Sequence, residues 1–139
     1  MKILVTGGLG VNGCWVTRDL LAMGHEPVVF DARPDFSLLR DISDAFAFVN
    51  GDITSLEQLE SVCREHKIER ICHLAAVYPE AADYEPFTGF AINATATVNV
   101  LEAARRANCN RVIFTSSVGA LSPMTAPHLE PEMKPVDED

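Results

Sequence analysis

Three evenly spaced glycines form the first pattern in the sequence that could carry chemistry. Gly7, Gly10 and Gly13 give a G-x-x-G-x-x-G pattern, which follows one apolar run and opens a helical one. The first glycine permits a tight turn, and the second lets a diphosphate approach the backbone closely. The third lets the helix pack close to the sheet. Backbone amides and the helix dipole favour an anion there. The pattern predicts a dinucleotide cradle that includes Val11 and Asn12; a glycine-rich turn without a ligand is the alternative.

A carboxylate at the end of the second apolar run could recognise the ribose of such a ligand. Asp31 follows Gly13 by 18 residues. At this position a carboxylate accepts hydrogen bonds from ribose hydroxyls and repels a 2′-phosphate, which favours NAD over NADP. Arg33 could instead pair with that phosphate, and a solvated turn is the other interpretation of Asp31. We therefore expect NAD as the cofactor and NADP as the less favoured one.

Asp52 and Ile53 form the third candidate group, directly after a third apolar run. The carboxylate could meet the adenine amino group, while Ile53 could supply an apolar wall. Ligands of open α/β sheets bind at the carboxyl ends of strands, where this pair is expected. Aspartate after glycine is also a common turn, which is the alternative interpretation.

The elements that position these residues alternate between strand and helix. The apolar runs predict strands over residues 2–6, 27–31, 45–50, 70–74 and 111–115, and helical spacing predicts helices over 11–23, 55–66 and 86–107. Strands that are apolar almost throughout are typical of a parallel sheet covered by helices on both faces. The fold class is therefore α/β, a doubly wound parallel sheet of about five strands. It occupies a domain over residues 1–122, followed by a proline-rich acidic loop over 123–139.

Charge and cysteine content exclude several classes of partner. The net charge is −9, from 20 acidic and 11 basic residues, so the chain would repel a phosphate backbone and we expect no nucleic-acid partner. No apolar run reaches the ~20 residues of a membrane span, so no membrane partner is expected. The first predicted strand begins at Lys2, which leaves no room for a signal peptide. Four cysteines lie outside metal-ligand spacing and are interpreted as reduced thiols, which predicts a cytoplasmic location and no metal site.

Taken together, five segments resemble motifs of the extended short-chain dehydrogenase/reductase family, which includes NAD-dependent epimerases and dehydratases. They are T-G-G-L-G-V-N-G at 6–13, G-D-I at 51–53, H-L-A-A at 73–76, the N-A-T-A-T-V-N-V-L-E-A-A-R segment at 93–105, and T-S-S at 115–117. The resemblance runs along nearly the whole chain and implies a Rossmann-type sheet. It also implies further cofactor-binding residues: Leu74, Ala75, Ala76, Asn93, Thr115 and Ser116.

The same resemblance assigns the catalytic hydroxyl to Ser117. Beyond the end of the fifth strand, this hydroxyl would hydrogen-bond the substrate oxygen and hold it for proton and hydride transfer. A capping or turn serine is the interpretation of Ser117 taken alone. His73 could be mistaken for a base, but its place in an apolar run predicts a core histidine.

The family's acid–base pair, a tyrosine followed four residues later by lysine, is absent from this sequence. Ala82 and Thr88 stand four residues after Tyr78 and Tyr84. We expect the chain to be the amino-terminal part of a longer protein, ending before the catalytic tyrosine and the substrate lobe. Alone it would be inactive, and it would associate as a homo-oligomer or through the face left open by the missing part.

Two functions follow from these expectations. In the first, the chain is the cofactor half of an NAD-dependent epimerase, dehydratase or reductase that moves a hydride from a substrate carbinol. A nucleotide-sugar is the leading small-molecule substrate, ahead of a hydroxy-ketone or steroid-type alcohol. In the second, the chain is a non-catalytic dinucleotide-binding sensor or scaffold, which the missing Tyr-x-x-x-Lys favours and the retained Thr115–Ser117 segment opposes.

Overall fold

Five short apolar segments form the strands of one sheet. A computed structural model of the chain describes residues 1–78 and 85–117. The strands are β1 (Lys2–Thr6), β2 (Glu26–Asp31), β3 (Ala47–Asn50), β4 (Arg70–His73) and β5 (Arg111–Phe114). All pairings between them are parallel, in the order β3-β2-β1-β4-β5. The predicted α/β class and the doubly wound parallel sheet of five strands are therefore confirmed.

In the described residues three long helices connect strands, and each begins where the sequence predicts. They are α1 (Val11–Ala22), α2 (Leu56–Glu65) and α3, which spans residues 86–106. Ser55 caps α2 by accepting a hydrogen bond from the Gln58 amide, as its spacing predicts. Helix α3 is interrupted by one π-helical turn, Ala91–Thr95, between α-helical segments Pro86–Phe90 and Ala96–Arg106. Turns of this kind are frequent at functional sites.

The core lies on both faces of the sheet, because alternate residues of β2 point to opposite sides. Val28 and Phe30 join the larger apolar cluster, which α2 and α3 cover, while Val29 joins a smaller cluster on the side of α1. Helix α1 packs closely on its face of the sheet through small residues, since Gly13, Cys14 and Thr17 are buried. Two of its larger apolar side chains stay outside, since Val11 and Trp15 are each 66% exposed, while Val16, Leu20 and Leu21 are half-buried.

The element boundaries differ from the predicted ones mainly around β3 and β2. Strand β3 starts two residues later than predicted because a 3-10 helix, Arg40–Ala45, occupies the preceding segment. Strand β2 starts one residue earlier, which places Pro27 second instead of first. The proline remains harmless because the Glu26 amide donates to β1, so the Pro27 nitrogen faces the other side, where β3 begins only opposite Val28.

Two predicted segments fall wholly or mostly outside the described residues. These are the loop at 77–85, of which residues 79–84 including Tyr84 are outside, and the acidic segment at 123–139 together with the proposed domain boundary at 122. Within residues 1–78 and 85–117, none of the helices combines the length and apolarity needed to cross a bilayer.

Candidate functional site

The candidate site lies along the edge where the carboxyl ends of all five strands meet. From β1 the chain runs outward to β2 and β3, then crosses back to β4 on the other side of β1. The order of the strands therefore reverses between β1 and β4, and open α/β sheets bind ligands at this reversal. Apart from Asn93 on α3, the predicted site residues end or follow the five strands, so the fold brings them to this one edge.

Gly7 makes the turn out of β1 and meets the segment that follows β4. Its φ of +68° lies in the left-handed region that favours glycine. A β-carbon there would lie 2.8 Å from both the amide nitrogen and the Cα of Ala75, and 3.1 Å from the carbonyl carbon of Leu74. Two independent constraints thus require glycine at this position.

Gly10 is the glycine that the protein itself does not require. It has an ordinary extended backbone, with φ −75° and ψ 174°. Among residues 1–78 and 85–117, a β-carbon on Gly10 would meet only the Gly7 carbonyl oxygen, at 3.3 Å, and would otherwise point into open space. The space over Gly10 is at the start of α1, which has no side-chain cap and no acidic residue in its first turn. A group that fills this space from outside, such as a diphosphate, explains the glycine.

The other two glycines of the turn are required by packing. A β-carbon on Gly13 would lie 2.2 Å from the Gly7 carbonyl oxygen and 2.5 Å from the Cα of Gly8. Gly13 therefore lets α1 close onto the turn itself, rather than onto the sheet as the sequence suggested. Gly8, which the spacing pattern does not include, would clash at 2.8 Å with the Val29 side chain.

Asp31 ends β2 and holds the glycine turn through its carboxylate. Its Oδ2 accepts a hydrogen bond from the Leu9 amide at 3.2 Å, and its Oδ1 accepts one from the Arg33 amide at 3.2 Å. The carboxylate is half-buried and lies beside the turn, as the sequence predicts. It also has a structural task that the sequence did not indicate, because it fixes the backbone of Leu9 between the first two motif glycines. The Arg33 side chain is exposed on the same rim.

Asp52 and Ile53 follow β3, but their side chains point to different surroundings. The Asp52 carboxylate is exposed and accepts hydrogen bonds from the amide and the hydroxyl of Thr54, both at 2.8 Å. Ile53 is only 8% exposed and packs in the larger core cluster. Little of the Ile53 side chain is left to contact a ligand, and its role as an apolar wall stays a prediction.

The segment after β4 is held from two sides. Asn93, in the π-helical turn of α3, accepts a hydrogen bond from the Val77 amide and donates one to the Val77 carbonyl, both at 2.9 Å. At the other end, the Leu74 and Ala75 amides donate to the Thr6 hydroxyl at 3.3 and 3.4 Å. Residues 74–77, including the exposed Ala76, therefore form a positioned ledge beside Gly7. In the described structure the Asn93 side chain holds this ledge, and its predicted contact with a cofactor stays a prediction.

His73 is buried, as predicted, but it is more than a packing residue. Only 1% of it is exposed, and its ring lies parallel to that of Phe114, with centroids 5.7 Å apart. Its Nδ1 lies 2.7 Å from the Thr6 hydroxyl, and its Nε2 lies 3.2 Å from the Thr97 hydroxyl. Burial lowers the pKa of His73 from its ordinary value, which keeps the ring neutral near neutral pH. Sequence reasoning missed Thr6 and Thr97 as its partners.

The residues after β5 begin at the same edge. The Thr115 amide and hydroxyl both donate to the His73 carbonyl, at 3.4 and 3.2 Å. Ser116 and Ser117 follow and are exposed. The hydroxyl predicted to be catalytic therefore lies just beyond the carboxyl end of β5, which is next to β4 in the sheet.

A groove in the described part of the chain lies away from this edge. It has a volume of about 590 Å³ and runs between α2 and α3, where Lys67 and Ala107 precede β4 and β5. It is thus near the amino ends of these strands, opposite the edge just described. None of the predicted site residues lines it, so we place the candidate site at the carboxyl edge.

Comparison with known proteins finds one matching family and several relatives of similar sequence. A family model described as "NAD dependent epimerase/dehydratase family" matches residues 3–137. The chain is 37% identical over 127 residues to a UDP-glucose 4-epimerase of Mycolicibacterium smegmatis, covering 87% of this chain and 40% of that protein. It is 33% identical over 142 residues to the UDP-glucose 4-epimerase of Azospirillum brasilense, covering 99% of this chain and 38% of that protein. The chain thus spans about two fifths of the length of these two relatives.

A solved structure agrees with the sequence comparison. It is that of UDP-glucose-4-epimerase from Stenotrophomonas maltophila with bound NAD and formylated UDP-arabinopyranose. It matches with a TM-score of 0.78 and 28% identity, over 86% of this chain and 38% of that chain. The matched residues of this chain therefore correspond to less than half of that epimerase chain.

Proposed function

The chain belongs to the NAD-dependent epimerase/dehydratase family, and from this premise we propose that it is the NAD-binding part of an enzyme that acts by hydride transfer on a substrate carbinol. The fold class supports the proposal, because the site lies at the strand-order reversal where such sheets bind dinucleotides. A relative of the same architecture was crystallised with NAD bound.

The observation that carries the proposal is the open space over Gly10. Packing within the described residues explains Gly7, Gly8 and Gly13, but it leaves only one contact of 3.3 Å to explain Gly10. A diphosphate docked at the start of α1 supplies the missing reason, since a side chain there would displace it. Gly7, Gly10 and Gly13, with the Val11 and Asn12 amides, form the diphosphate cradle in this proposal.

Asp31 supports NAD over NADP. Its carboxylate is half-buried next to the turn, and a 2′-phosphate on the ribose would approach a fixed negative charge. The exposed Arg33 side chain offers only partial compensation, because solvent and salt screen an exposed charge. Asp52 lies farther along the same edge and is the candidate for the adenine amino group.

The chain's own residues suit the handling of a substrate oxygen next to the nicotinamide. Bound NAD supplies the hydride acceptor. Ser117 hydrogen-bonds the substrate oxygen and orients its C–H bond, while Thr115 fixes the start of this segment on the His73 carbonyl. Residues 74–77 line the central part of the cofactor. The sequence has no Tyr-x-x-x-Lys, so removal of the hydroxyl proton needs a base outside it, and the chain alone does not turn over.

A nucleotide-sugar is the proposed substrate, supported by relatives named UDP-glucose 4-epimerase. We place the enzyme in the cytoplasm, with a homo-oligomer or a contact through the β5 edge as its assembly. Ile113 and Phe114 on β5 are 57% and 51% exposed, which is unusual for a strand of a parallel sheet. Light scattering tests the assembly, and a monodisperse monomer would contradict it.

A non-catalytic sensor or scaffold is the second candidate, favoured by the missing Tyr-x-x-x-Lys alone. The two functions differ in what the coding sequence contains after residue 139. A Tyr-x-x-x-Lys segment in the same reading frame favours the enzyme, and its absence favours the sensor.

Calorimetric titration of the 139-residue chain with NAD and with NADP tests the shared part of both functions. We expect saturable binding of NAD and weaker binding of NADP. Equal affinity for the two would remove Asp31 from the proposed recognition, and no binding of either would contradict the proposal.

A further inference from the structure

A closed set of hydrogen bonds links the ends of β1 and β4 to the π-helical turn of α3. Thr6 and Thr97 contact the two ring nitrogens of His73 at 2.7 and 3.2 Å. The Thr97 hydroxyl also donates to the Asn93 carbonyl at 3.0 Å, and the Asn93 side chain bonds both backbone groups of Val77. These hydrogen bonds therefore join both ends of the ledge at 74–77, which lies against Gly7.

Counting donors and acceptors assigns every proton in this set. The Thr6 hydroxyl oxygen accepts from the Ala75 amide and shares the Leu74 amide with the Thr6 carbonyl, so amide donors face its lone pairs and its hydrogen is left for Nδ1 of His73. The Thr97 hydrogen goes to the Asn93 carbonyl, so the Thr97 oxygen must accept from Nε2–H of His73. One neutral tautomer, with its proton on Nε2, satisfies all of the atoms involved.

We propose that Thr97 is a positioning residue for the dinucleotide site, which through His73 and Asn93 holds residues 74–77 in place beside the Gly7 turn. The inference rests on the proposed NAD binding and deepens it. Thr97 lies on α3, one helical turn after Asn93, and does not belong to the predicted cofactor set. It acts on the site only through the groups it bonds.

Removing the Thr97 hydroxyl breaks the set at one atom. In Thr97→Val the side chain keeps its shape, but Nε2–H of His73 loses its acceptor and the Asn93 carbonyl loses a donor. We expect His73 to become a mixture of tautomers and the amides of 74–77 to shift. NAD affinity should fall roughly three- to tenfold, the scale of one hydrogen bond, and Thr97→Ser should restore both properties.

The experiment combines nitrogen NMR of His73 without ligand, backbone NMR of 74–77, and calorimetric titration with NAD. Val62→Ala is the matched control, because it truncates a buried residue of the same core on α2 and should lower stability without weakening NAD. The tautomer is measured on the unsubstituted chain, so the hydrogen-bond assignment is tested even if Thr97→Val does not fold.

The outcomes separate this inference from the function on which it rests. A proton on Nδ1 of His73 in the unsubstituted chain would overturn the hydrogen-bond assignment. Equal NAD affinity of the unsubstituted and Thr97→Val chains would overturn the positioning role, as would failure of Thr97→Ser to restore affinity. Absence of NAD binding by the unsubstituted chain would instead overturn the proposed function.

Discussion

Gly7 and Ala75 lie backbone to backbone, so closely that a β-carbon on Gly7 would stand 2.8 Å from the Ala75 amide nitrogen. This contact joins the turn after β1 to the ledge after β4 at the point where the order of the strands reverses. Two backbone segments, rather than two side chains, therefore form the middle of the site. Substitutions that leave this contact intact should separate effects on binding from effects on folding.

Gly10→Val should abolish NAD binding while leaving the fold intact. The backbone of Gly10 suits valine, and in the described part of the chain its β-carbon would meet only one atom, at 3.3 Å. We expect the free energy of unfolding to change by about 1 kcal/mol or less, and NAD binding to be lost because the valine side chain takes the space of the diphosphate. Calorimetry and thermal unfolding measure the two effects. Retained affinity would contradict the cradle.

Gly13→Ala is the matched contrast, because it should damage the fold. Its β-carbon would lie 2.2 Å from the Gly7 carbonyl oxygen, so the turn or α1 has to move. We expect a destabilisation of about 3 kcal/mol in chemical denaturation. A Gly13→Ala chain as stable as the unsubstituted one would mean that α1 does not pack as described.

Asp31→Asn should weaken NAD and narrow the difference between NAD and NADP. The amide keeps one acceptor for the Leu9 backbone but loses the charge that repels a 2′-phosphate. We expect roughly tenfold weaker NAD binding and little change for NADP, measured by parallel titrations. An unchanged ratio of the two affinities would show that Asp31 serves only the turn.

Asn93→Leu should loosen the ledge from α3. The Val77 amide and carbonyl would both lose their partner, at a cost of about 1 kcal/mol in unfolding free energy. Faster amide exchange at Val77 and severalfold weaker NAD binding are expected. Asn93→Asp keeps the acceptor and loses the donor, so its amide exchange and NAD affinity should lie between those of the unsubstituted and Asn93→Leu chains. Unchanged exchange at Val77 in Asn93→Leu would contradict the role of Asn93 in holding residues 74–77.

Stability should decrease as the pH falls below about 6.5, the ordinary pKa of histidine, because burial lowers the pKa of His73. The unfolded state then binds a proton that the folded state resists, so this contribution is complete above pH 6.5 and is lost as the pH falls through the lower, folded pKa. Urea unfolding between pH 7.5 and 5.5 measures it. His73→Gln should flatten the profile, and an equally steep profile in that variant would assign the effect to other groups.

The strand and helix pattern was predictable because each element has a local cause. Apolar runs, the Ser55 cap and the glycine turn fix most elements to within two residues. The sequence allowed a helical turn in the connection at 32–43, but it could not place the 3-10 helix at Arg40–Ala45, because this segment has no strong periodicity. Nor could it show that small residues of α1 face the sheet while Trp15 faces outward, since helical spacing alone does not say which face is covered.

The roles of site residues were predictable where a sequence motif has a steric cause. They were less predictable where contacts between distant segments determine the role. The roles of Gly7 as a turn and of Asp31 as a neighbour of that turn follow from spacing. The clash of Gly8 with Val29 and the bonds of His73 to Thr6 and Thr97 join residues distant in sequence, and no local pattern indicates them. In both cases the partner becomes known only when the strands are aligned.

Backbone NMR of the labelled chain during titration with NAD tests the central claim most directly. A diphosphate on the turn after β1 should shift the amide signals of residues 7–13 most, and those of 74–77 on the adjoining ledge less strongly. Signals that instead move around the groove between α2 and α3, with residues 7–13 unaffected at saturation, would contradict the account.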